Sequence, residues 1–137
     1  MISNAIVIDT NLVFSALISK ASQIREILFE SNLDFYSPNI LITEIYKHNE
    51  KLLKSSKLTS TEFSMYFNGI IERIQFVPTD FISLESRQKA YDLCYDVDIK
   101  DLPFVALSID LKIPLWTGDK KLKIGLIKKG FHNIYNQ

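Results

Sequence analysis

Cysteine is almost missing: Cys94 is the only one in 137 residues, which excludes an intramolecular disulfide and any cysteine-cluster zinc site. Glycine and proline are scarce, four of each, and they cluster into no linker or low-complexity tract. No internal repeat stands out at a period of roughly 20 to 50 residues. No apolar run approaches the roughly 18 residues of a membrane helix. The opening Met1-Ile2-Ser3-Asn4-Ala5 lacks the basic segment of a secretory leader, so a soluble, cytoplasmic chain is expected. Charge of one sign is also lacking. Sixteen Lys and Arg balance sixteen Asp and Glu, which argues against a general coater of nucleic acid and leaves only a local patch or a metal to attract phosphates.

What the chain does carry is a 47% hydrophobic composition, ordinary for a globular protein and of a length that predicts one domain over residues 1–137. Ala5–Ile8 reads as a strand, and Thr10 and Asn11 open a helix through Leu12, Ala16 and Leu17. A helix over 22–31 presents Ile24, Ile27 and Leu28 on one face, followed by a strand over 34–37. Pro38 suits a first helical turn and predicts a helix over 38–54. Thr59 or Ser60 caps a helix to residue 73, and residues 74–77 form a strand before Pro78. Further helices are expected over 81–95, 102–112 and 120–129, with strands over 113–117 and 131–135. Strands alternating with helices predict an α/β fold, a three-layer α/β/α sandwich with a mostly parallel central sheet. The strand ends at one edge of such a sheet form the ligand crevice.

The acids fall where that crevice forms. Asp9 follows the first strand directly, and Asp119 lies two residues beyond the strand over 113–117. Glu44 interrupts the apolar series Ile40-Leu41-Ile42 and Ile45-Tyr46, where an unpaired carboxylate costs several kcal/mol. Asp98 and Asp101 stand three residues apart at the head of the 102–112 helix, whose dipole favours negative charge. If Asp9, Glu44, Asp101 and Asp119 converge, they cannot all ionise without a cation, and hard oxygen donors select Mg²⁺ or Mn²⁺. A dication of that kind polarises a phosphodiester and acidifies a bound water, so hydrolysis of a nucleic-acid backbone is the matching chemistry. Thr117 offers a hydroxyl to a neighbouring carboxylate, and Asn11 is placed to tie the turn after Asp9. Lys120, Lys121 and Lys123, with Lys128 and Lys129, read either as a solvated helix face or as a phosphate-gripping rim beside Asp119, the local basic patch that net charge does not supply.

Four segments in order carry a resemblance: Ile8-Asp9-Thr10-Asn11; Thr43-Glu44-Ile45; Asp98-Ile99-Lys100-Asp101 with Phe104-Val105-Ala106-Leu107; and Trp116-Thr117-Gly118-Asp119-Lys120. Their order and spacing over nearly the whole chain resemble the PIN-domain family. The resemblance implies a divalent-metal-dependent endoribonuclease, often the VapC-type toxin of a bacterial toxin–antitoxin pair, leaving 5′-phosphate and 3′-hydroxyl ends. It implies that Asp9, Glu44, Asp101 and Asp119 are metal ligands, directly or through water, with Asp98 as an auxiliary acid. Either Asp98 or Asp101 fits the helix-start position, and Val105-Ala106 at the right offset favours Asp101. The implied partners are single-stranded or structured RNA, a cognate antitoxin and a second copy of the chain.

Each acid also has an ordinary reading. Asp98 serves as a helix cap, Asp101 as a first-turn acid, Asp9 and Asp119 as turn residues, and Glu44 as a partner for Lys47, His48 or Arg25. His48 reads as a solvated helix residue, His132 as too isolated for a ligand, Cys94 as a small core residue, and Phe63, Tyr66, Phe67, Ile70 and Ile71 as core before interface. The rival functions are a receiver-like Mg²⁺-binding signalling module, which needs an acceptor aspartate after a central third strand, and a degenerate PIN domain that binds RNA or a partner without cutting. An Asp-x-Asp phosphatase is disfavoured because position 11 is Asn.

Overall fold

Four short strands, each rich in branched or aromatic residues, assemble one sheet in the computed structural model, which describes residues 4–136. Residues 1–3, where the leader reading falls in part, and Gln137 lie outside the described residues. β1 is Ala5–Ile8, β2 Asp34–Pro38, β3 Ile74–Val77 and β4 Leu115–Trp116. They are ordered β3-β2-β1-β4 and every pairing is parallel. Parallel strands need crossovers, and helices supply them. α1 spans Thr10–Ile18, α2 Gln23–Glu30, α3 Ile40–Lys47, α4 Asn49–Ser55 and α5 Ser60–Arg73; α6 spans Leu84–Cys94, α7 Leu102–Leu111 and α8 Lys120–Lys128.

The helices form two groups around the sheet, giving the expected α/β/α sandwich. α7 lies across β1 and β2 with α6 against it and α8 against α6, while α1 to α5 pack with one another. Val7, Ile8, Phe35 and Leu115 are fully enclosed from the sheet, with Ala16, Leu17 and Leu28 from one helical group and Val105, Ala106 and Leu107 from the other. At roughly 1.5 to 3 kcal/mol per large buried side chain, this layer is what fixes the register of the strands.

Several boundaries differ from the sequence reading. Pro38 ends β2 instead of opening a helix, opposite Val77, while the β1 ladder stops at Tyr36, so no neighbour on that side asks for the N–H that proline lacks. The helix expected over 38–54 is interrupted at His48, which takes φ −105° and ψ 12° and separates α3 from α4. His48 is half-buried, its ring edge-on to Phe14 at 5.8 Å. The helix expected from residue 81 starts at Leu84, because a 3-10 turn over Thr79–Phe81 precedes it and the Ser83 hydroxyl accepts from the Ser86 N–H to cap it. The final strand over 131–135 reduces to one parallel bridge between Leu115 and Ile134. Gly130, at φ +90°, makes the left-handed stop after α8 as its position predicts. Phe63 and Ile70 are core, and Tyr66, Phe67 and Ile71 pack half-buried against it. No helix among the described residues is long and apolar enough to cross a membrane.

Candidate metal centre

β1 and β4 are adjacent and parallel, so Asp9 and the segment Thr117-Gly118-Asp119 emerge side by side at the carboxyl edge of the sheet. Asp9 is 1% exposed, and both its oxygens are in use. Oδ1 accepts from the Leu12 N–H at 3.0 Å, capping α1, and Oδ2 accepts from the Thr117 hydroxyl. Burial raises the Asp9 carboxyl above its ordinary range, and the Asp119 charge adds to this; the Thr117, Leu12 and Gly118 donors act in the opposite direction. Thr117 Oγ1 in turn accepts from the Asp119 N–H at 3.1 Å, and Asp119 caps α8 by accepting from the Leu122 N–H at 3.1 Å. One hydroxyl thus links both strand-end acids. Sequence places it beside Asp119, and the carboxylate it donates to belongs to Asp9.

The second half of the centre is the head of α7. Asp98 accepts from the Lys100 N–H at 3.1 Å and caps a 3-10 turn over Ile99–Asp101. Asp101 occupies the N-cap position of α7 without making a side-chain cap bond. Its Oδ2 is buried and has no hydrogen-bond partner among the described residues. The Asp101 carboxyl is pushed up to about 7, first by burial and then by the charges of Asp98, Asp9, Asp119 and Glu44. All five acids singled out in the sequence therefore share one electrostatic neighbourhood. Carboxylate oxygens of Asp98, Asp101 and Asp119 lie within 4.8 Å of one another, which places Asp98 in the tight cluster beside Asp101.

Glu44, on α3, stands at the margin. Its Oε1 accepts from the Thr10 hydroxyl at 2.9 Å, and no ion pair with Lys47, His48 or Arg25 forms. Arg25 is instead buried and donates to the Ala16, Ser19 and Lys20 carbonyls. Glu44, Asp98 and Asp101 line a cleft of about 90 Å³ together with Thr10, Asn11, Lys100 and Phe104. Asn11 is exposed on that cleft, and the turn it was expected to tie is held by Asp9. Lys120 and Lys121 are exposed and Lys123 half-buried in the first turns of α8, next to Asp119.

Two contributors have little signal in the sequence. Thr10 is legible as the opening of α1, but not as the donor to Glu44. Gly125 has the pattern of no more than a helix residue, yet a Cβ there would sit 2.7 Å from Val97 Cγ2. Its bareness lets the turn bearing Asp98 close onto the helix that Asp119 caps. Lys129 secures the same turn by donating to Asp96 and, at 3.2 Å, to the Asp92 and Leu93 carbonyls. Cys94 is buried under the cluster with its thiol pushed up to about 12, which keeps it protonated and inert.

The residues present fit a small, hard dication: the donors are all oxygens, three carboxylates cluster, and one buried oxygen lacks a partner. The receiver-like alternative does not fit. β3 is an edge strand, and Asp80, beyond its end, is exposed and outside the cluster. Comparison with protein families gives a match to the PIN domain over residues 7–136. Among curated proteins no match is found. With the motif order, the parallel sheet and the acids at its carboxyl edge in agreement with that match, the chain belongs to the PIN-domain family, a family of nucleases.

Proposed function

We propose that residues 1–137 form one nuclease domain, a divalent-metal-dependent endoribonuclease that hydrolyses RNA phosphodiester bonds. Asp98, Asp101 and Asp119 would hold Mg²⁺ or Mn²⁺, with Asp9 and Glu44 completing the acidic wall. The observation that carries this is Asp101: a half-buried acid facing four others, its buried oxygen unpartnered among the described residues, is an arrangement that a bound cation satisfies and a bare protein does not. When bound there, a dication supplies charge stabilisation at a phosphoryl oxygen and a more acidic water.

The chain's own residues do the positioning. Thr117 fixes Asp9 and the backbone of Asp119 in one arrangement, and Thr10 fixes Glu44. Lys120, Lys121 and Lys123 stand at the start of α8, where the helix dipole disfavours cations, beside the Asp119 cap but without an ion pair among the described residues. Their placement is explained by a polyanion running past Asp119. As the toxin of a toxin–antitoxin pair in the cytoplasm, the chain would arrest growth when expressed. The groove lined by Tyr46, Leu53 and Phe67 is then the seat of the homodimer, which sedimentation velocity tests.

The direct test follows cleavage of end-labelled single-stranded and structured RNA while Mg²⁺ and Mn²⁺ are titrated. Cleavage is expected to need the metal, to yield 5′-phosphate ends, and to vanish in Asp101→Asn and Asp119→Asn. Undiminished metal-dependent cleavage by both variants would overturn the site, and RNA left intact under every metal would overturn the function.

A further inference from the structure

We propose that Lys100 is the phosphate-binding cation of the acidic cleft, the residue that draws one phosphodiester of a single-stranded RNA onto the carboxylates. Of the residues lining that cleft, Lys100 alone is cationic, and it is set between Asp98 and Asp101. Its backbone is fixed because its N–H is bound by the Asp98 carboxylate at 3.1 Å. Its ammonium group is free. The side chain makes no ion pair among the described residues, although three acids line the same cleft.

The charge of Lys100 offsets part of the repulsion among those acids, yet it pairs directly with none of them among the described residues. Lys100 is exposed in the 3-10 turn that runs into the N-terminus of α7, where the dipole disfavours a cation. An exposed ammonium covers little apolar surface, and without a contact pair its attraction to those acids is largely screened by water. What it does supply is the one kind of charge that this cleft lacks for an anionic ligand. At about 90 Å³ the cleft is well below the ~300–1,000 Å³ of small-molecule pockets, so it suits a single charged group, with the rest of the strand outside. The Asn11 amide, exposed on the same cleft, offers neutral donors to the same oxygens. Carboxylates that hold a dication and a lysine that holds the non-bridging oxygens are complementary, since either alone leaves a phosphodiester repelled or unanchored.

The inference rests on the endoribonuclease reading, and its test separates the two. Binding of a fluorescein-labelled single-stranded RNA to the full chain is measured by anisotropy over a range of KCl, with Ca²⁺ in place of Mg²⁺ to limit cutting. Each phosphate contact on a single strand contributes about 0.7 to the slope of log affinity against log salt. Lys100→Ala is expected to flatten the slope by about 0.7, and Lys100→Arg to restore it. In Mg²⁺, Lys100→Ala is expected to raise KM about tenfold with kcat within about twofold. The rise in Tm on adding Mn²⁺ is expected to persist in that variant, because Lys100 holds no metal. If the wild type binds and cuts RNA while Lys100→Ala keeps its slope and KM, the role of Lys100 is overturned alone. That role is equally overturned if Lys100→Ala loses the Mn²⁺ response, which marks a structural contribution. If the wild type neither binds nor cuts RNA under any dication, the endoribonuclease reading falls and takes this one with it.

Discussion

The two halves of the acidic centre are built on opposite principles. At the strand ends every Asp9 oxygen has a donor, the Thr117 hydroxyl serves two acids at once, and Asp119 doubles as a helix cap. At the head of α7, Asp101 sits in a cap position without capping, and its buried Oδ2 has no partner among the described residues. The first half is satisfied by the protein, the second only by something added to it. Polar order is thus completed by the protein on one side of the centre and left open on the other, as expected where a fold holds a binding site ready.

Asp101→Asn is expected to have the largest effect, in opposite directions for activity and stability. Removing a principal ligand should lower metal-dependent cleavage on the order of 10³-fold. Metal-free stability should rise. The folded chain binds a proton on Asp101 up to about pH 7, while the unfolded chain releases it near 3.8. Stability contributed by the protonated group is therefore complete below 3.8 and is lost as pH rises toward about 7. The gain from Asp101→Asn over wild type should then be small at pH 4 and reach on the order of 4 kcal/mol at pH 8, read from urea denaturation in chelator. Added Mg²⁺ should reverse the order at pH 8, since only the wild type gains by binding it. Below pH 7 protons compete for the same carboxylate, so wild-type metal affinity should climb with pH and level off above it.

Thr117→Val probes the satisfied half and should act in the opposite sense. It strips the donor from Asp9 Oδ2 and the acceptor from the Asp119 N–H, both at a buried position. A loss of about 2–3 kcal/mol and roughly 10²-fold in cleavage is expected, with Thr117→Ser recovering most of both. Equal stability responses in Asp101→Asn and Thr117→Val would erase the distinction between the halves.

The strand-end half is also the more legible in sequence. A β-branched run ending in Asp9, and Trp116-Thr117-Gly118-Asp119 after another apolar run, each mark a strand end by local chemistry, and parallel pairing does the rest. Glu44 is visible as a charge in an apolar stripe, but its partner Thr10 lies 34 residues away, and no local pattern names it. The ambiguity between Asp98 and Asp101 has a physical origin. Both carboxylates enter the cluster because a 3-10 turn, with fewer residues per turn than an α-helix, joins them. Pro38 misleads for a similar reason: whether proline starts a helix or ends a strand depends on where the neighbouring ladder stops, which is a property of β1.

Gly125→Ala asks whether the halves must touch. Alanine favours a helix over glycine by about 1 kcal/mol, so lost packing against Val97 and gained propensity should nearly cancel in stability. The added methyl must displace Val97, and with it the turn holding Asp98, away from the helix that Asp119 caps. Metal affinity is expected to fall about tenfold at nearly unchanged Tm, as measured by calorimetric titration with Mn²⁺. A parallel loss of Tm and affinity would mean that Gly125 serves the core alone.

The smallest effects belong to Lys120, Lys121 and Lys123, which flank the satisfied half without joining it. None forms an ion pair among the described residues, and all three stand in the first turns of α8, against its dipole. Each single change to Ala should therefore relieve a few tenths of a kcal/mol of folding strain while weakening RNA binding about two- to fivefold. The loss should shrink as KCl rises, because what is removed is a phosphate contact. Metal affinity should stay as it is. A lysine variant that weakens RNA binding equally at low and high salt would be acting on the shape of the Asp119 cap, and the charge beside it would be incidental.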